Sequence, residues 1–339
     1  MDCPHCHRSD RVIRKGSRSL KNGDTVVKYA CNVCQRYFSS HTGTALFRCR
    51  ISLNDAKSIV AARSEGVGVR AAGRLTGHSH STVIDLERRV LACTHKLDPD
   101  GAVFTDQLTT ATWECDEVYT RIHHNRPVEE CPGWTALGIE RSTRLLLPSV
   151  TGRRNYRLFD RFGDETLPLA LSVPQVSIVS DGERRYTGAV TRDGEARKYL
   201  APPGEPTGKG RQLGSTLVWR AGLQVVRKVK GSQHRKQRGR IERPGTLHPD
   251  TVPLPDKAIH ANHCEALNAA LRRRCSAMRR RTNTYAKKVS ALDRALTLYR
   301  RLHNWCRGHF AFRGQQTPAM AIGLTNHIWT VTELLLQRA

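Results

Sequence analysis

Four cysteines within the first 34 residues, spaced as Cys3-x2-Cys6 and Cys31-x2-Cys34, constrain this chain more tightly than any other feature. A two-residue spacer lets both thiolates of a pair face one ion while backbone amides offset their charge, so two such pairs can wrap a tetrahedral Zn²⁺. The 24 residues between the pairs exceed the usual gap, but Lys21-Asn22-Gly23-Asp24 is a hairpin turn signal between basic, strand-like flanks. Residues 1–45 therefore read as a zinc ribbon in which Cys3, Cys6, Cys31 and Cys34 hold a structural Zn²⁺. The other seven of the 11 cysteines stand singly, which argues against a disulfide framework and for small buried apolar residues.

Charge supplies the next constraint. Lys and Arg number 56 against 30 Asp and Glu, a net charge of +26 over 339 residues, and such an excess needs an acidic partner. Nucleic acid is the first candidate. Residues 1–50 carry a net +7 and residues 220–313 a net +18, whereas residues 101–219 sum to zero. Two basic blocks thus bracket a neutral, carboxylate-bearing middle, as expected where phosphates are held around a metal-binding acid cluster. The run 226–244 includes Arg235, Lys236, Arg238 and Arg240, and the run 272–281 opens with Arg272; both are expected to track DNA backbones. No stretch approaches the roughly 18 apolar residues of a membrane span, and Met-Asp-Cys-Pro-His is not a signal peptide start, so the expected location is the cytoplasm, on DNA.

After the ribbon, Leu53, Ala56, Ile59, Val60 and Ala61 suggest one helical face, ended by Gly66 and Gly68. A second short helix follows from Val69, and Ser79-His80-Ser81 supplies an N-cap for a third. Three helices broken at glycine predict a helix-turn-helix over 46–98, whose recognition helix begins near Ser81. It should carry Asp85, Arg88 and Arg89 outward while Val83, Leu86 and Val90 pack inward. The turn-rich stretch 97–101 then marks a boundary.

Beyond it the pattern changes to strands, at 109–122, 134–142 and 143–152, then a helix near 156–171 and a strand at 176–182. Strands followed by alternating helix and strand predict an α/β core with a mixed sheet over 99–313, and residues 314–339 a helical tail. Asp116 falls within the first strand and Asp181 where the fourth ends; adjacent carboxylates there repel unless a divalent cation joins them. Strand alternation puts Glu114 and Asp116 on one face and Glu117 on the other, so spacing alone does not choose among the three. On the helix 260–275, Glu265, Asn268 and Arg272 share one face, with Cys264, Leu267, Ala270 and Leu271 opposite. Glu242, Asp250 and Asp256 compete as a third acid, but the first lies in an Arg-rich run and the others in a Pro-rich loop.

The residues from the cysteine ribbon through 115–120 (CDEVYT), 180–186 (SDGERRY), 264–274 (CEALNAALRRR) and 317–335 (the stretch TPAMAIGLTNHIWTVTELL) resemble the transposases of the insertion-sequence-one type. These are DDE transposases with a ribonuclease-H-like catalytic core. The resemblance implies a prokaryotic enzyme for metal-dependent DNA strand cleavage and transfer at element ends, acting as a homo-oligomer on double-stranded DNA. It implies that Asp116, Asp181 and Glu265 hold Mg²⁺ or Mn²⁺, and that Asn268 belongs to the catalytic set. Where the family often has aromatics, this chain has Val118 and Glu183. Two other readings stand beside it: a DNA-binding regulator on an inactive core, and a structure-specific nuclease of the same fold.

Overall fold

The Asn22-Gly23 turn organises the first sheet. In the computed structural model, which describes residues 1–123, 127–200, 216–231, 238–279 and 283–339, three strands pair antiparallel in chain order: β1 (Val12–Ser19), β2 (Thr25–Cys31) and β3 (Tyr37–Ser39). Gly23 takes φ +87° at the turn, a conformation that strains any residue with a Cβ. The same turn reaches forward in the chain, because the Asp24 carboxylate accepts the Leu53 N–H at 2.9 Å and Asn22 donates to the Ile51 carbonyl at 2.7 Å. A carboxylate there complements the positive end of the helix that Leu53 opens.

Helices α1 (Leu53–Ser64), α2 (Val69–Thr76) and α3 (His80–Cys93) follow, the last capped by Ser79, whose hydroxyl accepts the Thr82 N–H at 3.2 Å. Val83, Leu86 and Val90 are buried, as their spacing predicts. Ala61 is exposed: it lies a further 100° round α1 from Val60 and so falls off the buried stripe. The tight turn between α2 and α3 requires Gly73, since a Cβ there would stand 2.6 Å from the His78 carbonyl oxygen.

Helix α4 (Gly101–Gln107) leads into a six-stranded mixed sheet. Strands β4 (Thr110–Tyr119), β5 (Trp134–Glu140) and β6 (Val150–Gly152) form an antiparallel meander. Helix α5 (Tyr156–Leu171) then crosses over and brings β7 (Gln175–Ser180) parallel beside β4. After α6 (Arg184–Arg192) and the hairpin of β8 (Arg197–Leu200) with β9 (Thr216–Trp219), β10 (Leu223–Val229) runs parallel to β7, and β11 (Arg240–Glu242) closes the edge. The order is β11-β10-β7-β4-β5-β6. On one face Ala111, Trp113 and Cys115 pack with Phe104, Phe159, Phe162 and Tyr186 of α4 to α6. On the other, Val118, Leu137 and Ile139 meet α7 (Asn262–Arg274) and α8 (Val289–Arg301) through Leu267, Leu271, Leu296 and Tyr299.

The strand expected over 143–152 shortens to β6. Ser142 and Thr143 turn back to the Glu140 carboxylate at 2.7 Å, Arg144 takes φ +59°, and Pro148 has no N–H to give a ladder.

The tail is not a separate body. The core of α1 to α3, with Ile59, Val60, Leu86 and Val90, continues into Leu298, Leu302 and Trp305 and into Leu334 and Leu335, so α9 (Pro318–Ala321) and α10 (Val331–Leu336) help to close it. Three short helices bury too little apolar surface by themselves. Polar ties cross the same junction: the buried Glu87 on α3 takes Arg63 at 2.6 Å and Arg294 of α8 at 2.8 Å. Asp98, in the stretch read as a linker, pairs with Arg300 and Arg301.

Glu87→Gln leaves two largely buried guanidinium groups facing each other without a counter-charge, and is expected to cost about 3–5 kcal/mol of stability. Thermal and urea unfolding check this; an unchanged midpoint contradicts the role given to Glu87.

Candidate metal centre

Strand β7 ends at Ser180, which pairs with Cys115 as the last rung of the parallel ladder. Strand β4 runs on to Tyr119, so Asp116 and Glu117 stand beside the point where β7 stops and Asp181 begins the following turn. Oxygens of these three carboxylates lie within 4.8 Å of one another. Asp116 accepts the Glu117 N–H at 2.8 Å and the Asn268 side-chain N–H at 2.7 Å, so a residue of α7 orients the central acid. Asn268 is therefore buried against β4, which covers this part of the helix face that it shares with Glu265.

The electrostatics are those of a site short of positive charge. Burial, and then the Asp181 charge, pushes the Asp116 carboxyl up to about 6. Burial pushes Glu117 up to about 7, with the Arg154 guanidinium opposing it. Asn268 Oδ1 and Glu117 Oε2 are buried without a hydrogen-bond partner among the described residues. Orphaned oxygens beside clustered carboxylates fit a cation held by oxygen ligands.

Glu265 lies outside this group of three. Its exposed carboxylate accepts from the Lys230 ammonium at 3.0 Å. The hydrogen bond to Glu265, together with the charges of Asp181 and Asp116, raises the Lys230 pKa. The structure thus brings Asp116, Asp181 and Asn268 together, adds Glu117, and places Glu265 one turn before Asn268 on α7 but paired with lysine. The competing acids are engaged elsewhere: Glu242 with Arg227 and Arg240, and Asp256 with Arg243.

Glu114 has a different task. It is fully buried, and one of its oxygens accepts from Arg141 at 2.8 Å and lies 2.6 Å from His263 Nδ1, while the other accepts the His263 and Cys264 N–H groups. Glu114, His260 and His263 also have metal-ligand geometry, but the carboxylate is already saturated by these donors. Val118 is buried in the α7/α8 cluster, and Glu183 caps α6 while pairing with Arg154.

At the N-terminus the four sulfurs also converge within 4.8 Å, with Cys3–Cys34 and Cys6–Cys31 both 3.6 Å apart. The Cys34 N–H is the main cause drawing the Cys31 thiol down to about 7. Four thiols in this arrangement fit a single thiolate-bound metal.

Of the residues expected to face DNA, Ser81, Arg88 and Arg238 are exposed and Arg272 is half-buried. Arg89 is instead held by Asp85 at 2.6 Å and the Phe47 carbonyl, and Arg240 by Glu242. Arg235 and Lys236 lie outside the described residues. No helix among the described residues is long and apolar enough to cross a membrane. Comparison with models of known protein families finds no match, and comparison with curated proteins finds none.

Both raised carboxyls favour the protonated folded state. Their contribution to the stability of the metal-free protein is therefore complete below the ordinary carboxylate range and is lost as pH rises through about 6 and about 7. A cation competes with those protons, so Mn²⁺ is expected to bind about tenfold or more tightly at about pH 7.5 than at about pH 5.5, and to raise the melting midpoint more at the higher pH. Calorimetric titration giving a pH-independent affinity contradicts the site.

Proposed function

We propose that this chain is a DDE-type transposase, cutting and joining DNA strands at the ends of an insertion element. The observation that carries the reading is the position of Asp116 and Asp181. Asp116 lies on β4 just past the last rung of its parallel ladder with β7, and Asp181 directly follows β7, both in the middle of the sheet beside buried oxygens that lack partners among the described residues. A meander followed by two strands parallel to its first member, in the order β10-β7-β4-β5-β6, supports a ribonuclease-H-like core.

Two Mg²⁺ or Mn²⁺ ions, when bound, supply an activated water or 3′-hydroxyl and charge neutralisation at the leaving oxygen. Asp116 and Asp181 would hold them, and Glu265 would complete the set on exchanging Lys230 for metal. Asn268 fixes the Asp116 carboxylate by its 2.7 Å hydrogen bond, and Lys230, once released, is placed to meet a phosphate. The Cys3, Cys6, Cys31 and Cys34 cluster would carry structural Zn²⁺ and brace the N-terminal sheet. Helix α3, through Ser81 and Arg88, would read the element ends, while Arg238 and Arg272 hold backbone phosphates; double-stranded DNA is the partner, bound by a homo-oligomer. Arg89 and Arg240 enter this reading only if DNA displaces their carboxylates.

A regulator on an inactive core is the second reading, and the Lys230–Glu265 pair favours it, since that pair keeps the third acid out of the cluster. The two part on one assay, with duplexes made from the DNA bordering the gene. Asp116→Asn, Asp181→Asn and Glu265→Gln are each expected to keep fold and end binding but to abolish Mg²⁺-dependent cleavage and joining. Glu242→Gln should stay within about tenfold, roughly 1.4 kcal/mol in barrier. Binding of the ends without cleavage by the unaltered protein would support the regulator.

A further inference from the structure

Behind α7, on the side away from Glu265 and Asn268, lies a cleft of about 400 Å³ that the catalytic reading does not use. That volume is within the range that takes a small ligand, roughly 300–1,000 Å³. Its floor is apolar, made by Ile139 with Ala266, Leu267 and Ala270 of α7. Its walls carry Arg144, Arg273, Arg274 and Arg307, and no carboxylate is among the lining residues.

Two of these arginines make no salt bridge among the described residues, although the charges of Glu114 and Glu140 reach Arg144. Arg144 adopts φ +59°, and its Nη1 is buried with no hydrogen-bond partner among the described residues. Arg273 is exposed, with no ion pair among the described residues. Arg274 and Arg307 share one acid, Glu65, at 4.0 Å and 2.5 Å. Burial pushes His303 down to about 3, so this histidine adds no charge at neutral pH. The cleft is therefore basic, with an apolar floor.

Its lip is the unusual part. Phe310 is 93% exposed, the most exposed large apolar side chain among the described residues. It is not on a slack loop. His309 N–H donates to the Gln316 carbonyl at 2.8 Å and Gly314 N–H to the His309 carbonyl at 3.0 Å, and Gly308 lies so close to Gly314 that a Cβ would stand 2.0 Å from its carbonyl oxygen. A tightly tied loop thus holds a bare aromatic ring beside four guanidinium groups.

We infer that this cleft binds one unpaired nucleotide of single-stranded nucleic acid, its phosphates on Arg144 and Arg273 and its base stacked on Phe310. Guanidinium groups meet phosphate oxygens in matched geometry, and an aromatic ring stacks on any base whose face is free. A duplex offers no such face along its length, so the occupant is a strand end or an unpaired segment. The site leans on the nucleic-acid reading of the chain's charge but not on the metal centre.

The test uses the full chain without added Mg²⁺ or Mn²⁺, and a 15-residue oligothymidylate carrying one 5-iodouracil. Basic surfaces elsewhere bind any polyanion, so photo-crosslinking followed by peptide mapping locates the strand. The expected adduct is on Phe310. Phe310→Ala should remove it and weaken single-strand affinity about tenfold, leaving duplex of the same length unaffected. Arg273→Gln should weaken it severalfold and lower the salt dependence by about one phosphate contact. Adducts that map outside 307–313, or an unchanged affinity for Phe310→Ala, overturn the site. A chain that crosslinks at Phe310 yet never cleaves DNA keeps this site and loses the catalytic reading; a chain that cleaves element ends without that adduct does the reverse.

Discussion

Glu114 stands in the middle of β4 with no exposed surface, and four donors close around its carboxylate. Burial works against its ionisation, but hydrogen bonds from His263 and Arg141 outweigh that and hold its carboxyl below the usual range. Two of the donors are N–H groups in the first turn of α7, which have no partner inside the helix. A strand carboxylate thus caps a helix across the core. Arg141 extends the tie to the Ala258 and His260 carbonyls, fixing the loop that delivers α7. With its N-terminus pinned there, the helix lies so that Asn268 meets Asp116 and Glu265 overlooks the same mouth from one turn earlier. The metal centre is assembled by a residue that would touch no metal.

Local spacing made much of this legible. Each cysteine pair has its geometry set within four residues and the Asn22-Gly23 hairpin brings the two pairs together, while α5 and the positions Val83, Leu86 and Val90 of α3 follow from local pattern. Strand alternation correctly separated Glu114 and Asp116 from Glu117, yet it gave no reason to prefer capping for one and clustering for the other. That difference depends on what packs above each face. Asn268 illustrates the same limit, since helical period grouped it with Glu265 whereas β4 divides the two into a buried and an exposed side chain. Lys230 pairs with an acid 35 residues away, a contact no sequence window contains.

The segment that would read DNA and the segment that would cut it are not joined by a loose tether. Glu87 bonds α3 to α8, Asp98 holds the connecting stretch to Arg300 and Arg301, and residues of the C-terminal helices fill the core under α1 and α3. Under the proposed function, such shared burial would let the position of a bound DNA end be passed to the acid cluster through packed side chains, where a tether would leave it to diffusion.

Whether Asp116 and Asp181 hold a metal with Glu265 is the point on which the functional reading turns. Fe²⁺ loaded in place of Mg²⁺, with ascorbate and peroxide, cuts a polypeptide beside its ligands. Chain cleavage mapping near 116, 181 and 265 is the result expected of the three-acid site. Cuts near 116 and 181 with none near 265 would leave Glu265 with Lys230 and the third ligand to Glu117. Absence of cuts at all three positions in iron-loaded protein would contradict the metal centre itself.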